Sequence, residues 1–205
     1  MYQIVEIEDT VRVVPDKFGN TLEDTLKQIL AEKYESKLDR DLGAIVSITE
    51  VKTDGIGKVI PGDGAAFYNA TFKALTYKPE LQEVVDGEVI EVVEFGVFVR
   101  LGPLDGLVHV SQITDDYLNY DEKGARFVGK ESKKTIGQGD LVRARVVTIS
   151  LKKSKENKIG LTMRQGGLGK YDWIADNKSE KKKADEKDNK KDNKKDTKKK
   201  GKSKK

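Results

Sequence analysis

Residues 86–111 read D-G-E-V-I-E-V-V-E-F-G-V-F-V-R-L-G-P-L-D-G-L-V-H-V-S, and the reading of this stretch decides the fold. Asp86-Gly87 is a turn pair, and a β-branched run follows it. Gly96 breaks that run, and a second short run carries Phe98. The turn region Gly102-Pro103-Leu104-Asp105-Gly106 then leads into Leu107-Val108-His109-Val110. Three closely spaced strands with two aromatics and the chain's single histidine point to a small barrel with a nucleic-acid face.

Working outward from the stretch, strands are expected at residues 87–94, 96–101 and 107–110. Gly96 stands where a barrel strand bends or another backbone passes close. Ser111 is placed to cap a short helical turn with Ile113. A fourth strand follows over residues 141–151, where Arg143 and Arg145 alternate with Val142, Ala144 and Val146. A fifth, residues 159–163, lies beyond the lysine-rich turn 152–158. Five short strands with one long connection between the third and fourth describe an OB-fold barrel, whose sheet face binds oligonucleotides. The connection, residues 115–139, carries Tyr117, Tyr120 and Phe127 among basic residues, and 126–136 has the pattern of a hairpin extending the barrel.

The first third of the chain has a different rhythm. Residues 3–13 alternate, with Val5, Ile7, Val11 and Val13 on one face and Glu6, Glu8, Thr10 and Arg12 on the other, as in a half-buried strand. Thr21 and Asp24 resemble a capping box, and Leu22, Leu26, Ile29, Leu30, Tyr34 and Leu38 recur at helical spacing, so the pattern predicts a helix over 21–38. The carboxylate pair Glu23-Asp24 reads as a helix start rather than an acid–base pair. Strands are expected over 43–53 and 65–77, the latter with Ala66, Ala70 and Ala74 on its apolar face, where they let a helix pack closely.

Between them lies the glycine-rich run 54–64, D-G-I-G-K-V-I-P-G-D-G. It fails as a phosphate loop, because Lys52 and Val59 stand where a Walker loop needs Gly and Ser or Thr. It fails as a dinucleotide fingerprint, because Ile60 replaces the third glycine and a strand follows. Two tight turns flanking a short strand at 58–60 are expected, forming a projecting loop with Ile56 at its tip. The whole is an α+β domain with one helix on an antiparallel sheet, over residues 1–79. The barrel takes 80–175, and Lys78-Pro79-Glu80 marks the boundary.

Composition sets the outer bounds. There is no cysteine and one histidine, which excludes cysteine-ligated zinc, thiolate nucleophiles and His-paired catalysis, and no cofactor is indicated. No apolar run approaches the roughly 18 residues that span a bilayer. The acidic, alternating start is no signal peptide, so a soluble cytoplasmic protein is expected. Residues 176–205 hold 15 lysines against 7 acids, whereas 1–81 are net acidic and 82–175 neutral, so the +4 of the chain sits in its tail. That tail cannot bury a core and is expected to be disordered, adding either non-specific nucleic-acid attraction or solubility.

The residues also carry a family resemblance. The order D-G-x-V, F-G-x-F-V, G-L-V-H-x-S and G-x-x-V-x-x-x-V-V resembles the RNA-binding domain of ribosomal protein S-one. That resemblance implies that Phe95, Phe98 and His109 share one face contacting single-stranded RNA. Spacing alone leaves Phe95 and Phe98 open between core and contact, and His109 open between structure and contact. Arg100, Arg143, Arg145 and Lys152 join the expected RNA-binding set, although basic residues follow Ile149-Ser150-Leu151 where the family carries an acid.

With the domain before it, the barrel resembles the archaeal E-prime family of DNA-directed RNA polymerase subunits, counterpart of the seventh subunit of eukaryotic RNA polymerase II. The resemblance rests on M-Y-x-I-V-E-I-E-D-T-V-R-V, G-N-T-L-E-D-T-L-K, D-G-I-G-K-V-I-P-G-D-G-A and K-A-L-T-Y-K-P-E-L-Q-E-V-V-D-G-E-V, and covers residues 1 to 175. It implies a truncated RNP-like first domain and a non-catalytic stalk protein that forms a heterodimer with the polymerase's F subunit. It also implies that the loop bearing Gly55, Ile56, Gly57, Gly62, Asp63 and Gly64 docks on the polymerase core and assists promoter opening. The barrel would receive the transcript. A stand-alone RNA-binding factor of translation or RNA decay is the rival expectation.

Overall fold

The computed structural model describes residues 1–19, 21–151 and 158–176. The lysine-rich turn after Leu151 and nearly all of the lysine-rich tail lie outside the described residues. The chain forms two compact units. The first holds a five-stranded sheet with one helix, and the second holds the greater part of a barrel and its inserted sheet.

β1 (Tyr2–Val13) leads through a 3-10 turn at Pro15–Lys17 into α1 (Leu22–Tyr34). β2 (Leu38–Asp39), β3 (Gly43–Thr53), β4 (Lys58–Val59) and β5 (Ala66–Tyr77) follow. The sheet order is β1-β5-β3-β2, with β4 also on β5, and neighbouring strands run antiparallel. Period-two alternation puts Val11, Val13, Ala70, Phe72 and Ala74 on the face that α1 covers with Leu26 and Leu30, all buried. Each fully buried aliphatic side chain there contributes roughly 1.5–3 kcal/mol. The expected small alanines are buried beneath the helix, as close helix–sheet contact requires. Asp9 lies on this inner face too, where its carboxylate accepts from Lys33 Nζ and the Tyr34 hydroxyl.

Two details differ from the sequence pattern. Thr21 is the N-cap of α1 but makes no capping bond to the backbone, and its hydroxyl donates to the Asp24 carboxylate instead. The helix also stops at Tyr34 rather than 38. Ser36 turns into the left-handed region, φ 60°, and its N–H donates to the Ile45 carbonyl. Glu35 accepts from the Ile48 N–H and the Ser47 hydroxyl, so sheet pairing outcompetes another helical turn, and Leu38 joins β2 opposite Ala44.

The barrel comprises β6 (Val84–Val93), β7 (Gly96–Arg100), β8 (Asp105–His109), β12 (Leu141–Ser150) and β13 (Lys158–Thr162). The order β13-β8-β7-β6-β12 closes through a β12–β13 pairing, giving a five-stranded OB-type barrel. Val89, Val97, Val99, Val108, Val142 and Leu161 fill its interior. The inserted connection forms a three-stranded sheet rather than a hairpin alone: β9 (Leu118–Asp121), β10 (Arg126–Gly129) and β11 (Thr135–Gly137). Phe127 and Ile136 are buried in it, with Tyr120 tilted against Phe127. β14 (Gly169–Lys170) pairs with β12, and residues 171–176 are helical. Among the described residues no helix is long and apolar enough to cross a membrane.

Candidate nucleic-acid interface

Along β7 the side chains alternate between the barrel interior, taken by Val97 and Val99, and the outer face, which receives Phe98 and Arg100. Along β8 Val108 points inward and His109 outward. Phe95, in the turn before β7, is 51% exposed, which removes it from the barrel core. Its ring meets that of Phe98 edge to face, with centroids 6.2 Å apart and planes at 85°. Gly96 lets β7 and β8 approach here, since a β-carbon would lie 2.3 Å from the Val108 carbonyl oxygen and 3.1 Å from His109 Cα. The Val110 N–H donates to the Phe95 carbonyl at 2.9 Å, tying the turn to the end of β8.

His109 also shapes the backbone that follows it. Its Nδ1 accepts from the Ser111 N–H at 3.3 Å and lies 2.9 Å from the Ser111 hydroxyl, making His109 the N-cap of the 3-10 turn Val110–Gln112. The cap is therefore His109, with Ser111 inside the turn, the reverse of the sequence expectation. With Nδ1 an acceptor, the neutral ring carries its proton on Nε2 and presents a donor outward. Ser111 is thus a positioning residue that sequence reasoning missed; the H-x-S spacing is the signal that identifies it.

The remaining basic candidates separate. Arg100 shares the outer face of β7 with Phe98 and pairs with Asp105 at 3.4 Å. Arg143 sits opposite Asp86, seven residues before Val93 at the end of β6, whereas Phe98 is two residues past Gly96 at the start of β7. Five strand positions correspond to roughly 17 Å. Arg143 is also committed elsewhere: it makes a two-pronged ion pair with Asp86, at 2.7 and 3.1 Å, and stacks on the Tyr171 ring. That ion pair holds the Asp86 carboxyl below its ordinary range. Arg145, two residues along β12, is half-buried opposite Val84. Lys152 lies outside the described residues.

The second candidate surface is the loop before β5. Gly55 and Gly62 adopt φ of 73° and 91°, which only glycine takes up without strain. Asp54 accepts from the Ile56 N–H at 3.0 Å, and Gly57 lies against Tyr68, whose ring a β-carbon would meet at 2.9 Å. Asp63 accepts two bonds from the Arg12 guanidinium, at 2.9 and 2.6 Å, and one from the Ala65 N–H. The loop is thereby fastened at both ends while Ile56 at its tip stands 65% exposed.

Comparison with known proteins covers both domains. Residues 8–64 match the model of the SHS2 domain found in the N terminus of Rpb7p/Rpc25p/MJ0397, and residues 78–164 match that of the S1 RNA binding domain. The DNA-directed RNA polymerase subunit Rpo7 of Saccharolobus shibatae is 45% identical over 179 residues, covering 87% of this chain and 99% of the relative. The chain belongs to the Rpo7 family. Rpo7 proteins are non-catalytic subunits of DNA-directed RNA polymerase. The RNA polymerase III subunit RPC8 of Saccharomyces cerevisiae is 32% identical over 101 residues, 49% of this chain and 48% of its own. Ribonuclease R of Buchnera aphidicola is 30% identical over 141 residues but only 18% of its length is covered, against almost the whole of Rpo7.

Proposed function

We propose that this chain is the stalk component of a cytoplasmic RNA polymerase and that its barrel binds the emerging single-stranded transcript. The observation that carries the RNA role is the outward group Phe95, Phe98 and His109: two aromatic rings for bases to stack on and one imidazole donor. Arg100 adds a cation beside them. Such stacking is worth about 1–3 kcal/mol per base and tolerates any sequence. Arg143 and Arg145 contribute less, because Arg143 is held by Asp86 and both lie toward the far end of β6. In this proposal the loop of residues 55–64 docks on the polymerase core through Ile56, the chain pairs with the F subunit, and the complex assists promoter opening during initiation.

The test combines recovery from cells with RNA binding. Affinity purification from native extract is expected to recover the large polymerase subunits and a small helical partner. Recovery of ribosomes or exonucleases without polymerase would overturn the assignment. Replacing Phe98 and His109 together by Ala is expected to weaken single-stranded RNA binding by at least tenfold, about 1.4 kcal/mol. Unchanged affinity in a folded variant removes the barrel face from the RNA path.

A further inference from the structure

A cleft lies directly beyond His109. It has a volume of about 360 Å³, and Ser111, Asp115, Tyr117, Leu118 and Arg164 are among the residues that line it. Ser111 belongs to both sites, since its N–H and hydroxyl hold the His109 ring. Tyr117 is 79% exposed, the most exposed large hydrophobic side chain among the described residues, yet its backbone is firmly held. The Lys130 N–H donates to its carbonyl at 2.9 Å, and the next residue, Leu118, pairs with Gly129 in β9–β10. On its other side Asp116 accepts from the Glu131 and Ser132 N–H groups and the Ser132 hydroxyl. An aromatic ring left bare on a pinned backbone gains nothing for the fold, but it makes a stacking platform.

The charged groups around the ring are mixed in sign, so what the site offers a ligand is the ring itself. Asp115 is ion-paired with Arg164, and the Asp116 carboxylate keeps its negative charge with its oxygens directed to the turn it holds. Lys130, whose N–H bonds the Tyr117 carbonyl, and Glu131 are both exposed on the adjoining turn. We infer that Tyr117 is the base platform of a second subsite, into which a single-stranded RNA crossing Phe95, Phe98 and His109 continues past Ser111. This rests on the barrel-face reading above and extends its footprint onto the inserted sheet.

Full-length chain is titrated with single-stranded RNAs of about 4 and about 12 nucleotides, spanning the range that one OB fold covers. Tyr117→Ala is expected to weaken the longer RNA about tenfold and leave the shorter one unchanged, with no change in the salt dependence, because stacking releases no counterions. Tyr117→Phe is expected to keep wild-type affinity. A 5-iodouridine placed along the longer RNA is expected to crosslink to Tyr117. If Phe98→Ala weakens both RNAs while Tyr117→Ala weakens neither, the second subsite is overturned and the barrel face stands. If Tyr117→Phe loses as much as Tyr117→Ala, stacking is overturned. If Phe98→Ala changes neither RNA, the barrel-face reading fails and takes this subsite with it.

Discussion

At Gly96 the backbone of β8 passes so near that the position has no room for a side chain. The atoms in the way are the Val108 carbonyl and His109 Cα, both main chain, so no rotamer change relieves the contact. Gly96→Ala is therefore expected to destabilise the barrel by about 1–3 kcal/mol, measured as a lower urea midpoint with an unchanged slope. It should also disturb the face, because His109 cannot keep its place over β7 while the strands are pushed apart. Residue-level chemistry of this kind was partly legible in the sequence. A glycine interrupting a β-branched run announces close backbone approach. That His109, rather than Ser111, caps the following turn was not legible, because an imidazole and a hydroxyl both accept from an N–H two residues on. Only the direction of the strand end decides between them.

The elements show where periodicity is a sufficient guide and where it is not. Alternation located β1, β5 and the barrel strands to within a few residues, because one buried face dictates the period. It overran α1, since the helical spacing of Leu38 could not reveal that Ser36 would turn left-handed and pair with β3. It also missed the bulges of β3, where the register slips between Ile45 and Ser47 and again between Ile48 and Glu50. These leave Val46 and Thr49 exposed without breaking the burial of Ile45 and Ile48. In the inserted sheet, the Asp116 carboxylate, together with the Lys130 N–H bond to the Tyr117 carbonyl, links the start of β9 to the β10–β11 turn. Three turn donors, led by the Ser132 N–H, keep it ionised to lower pH than an ordinary aspartate. Asp116→Ala is expected to speed tryptic cleavage after Lys130, Lys133 and Lys134 while the barrel fragment survives; an unchanged cleavage rate would mean that strand pairing alone holds the turn.

For the whole molecule, stability is bounded on both sides by groups whose titration is linked to folding. Tyr77 is buried, and burial, aided by the negative charge of Glu83, pushes its phenol up to about 12. A raised tyrosine favours the protonated folded state, so its contribution is complete below about pH 10 and is lost as pH rises toward about 12. The carboxylates work in the opposite sense. Asp86 is held down by Arg143, and Asp9, despite partial burial, is pulled down by Lys33 and Tyr34. Their contribution is present above the unfolded value near about 4 and is lost as pH falls through the lower folded values. Thermal melts are expected to show a plateau between about pH 5 and 9, falling at both ends. Tyr77→Phe should flatten the alkaline side, and a decline as steep as wild type would assign it to other groups. The loop bearing Ile56 has one more consequence at this scale. Because Arg12, Asp54 and Tyr68 already fix its shape, the proposed docking on the core begins with a form rather than an ensemble. If the loop docks as proposed, little configurational freedom remains to be lost on association, and detachment would not wait on refolding of the loop.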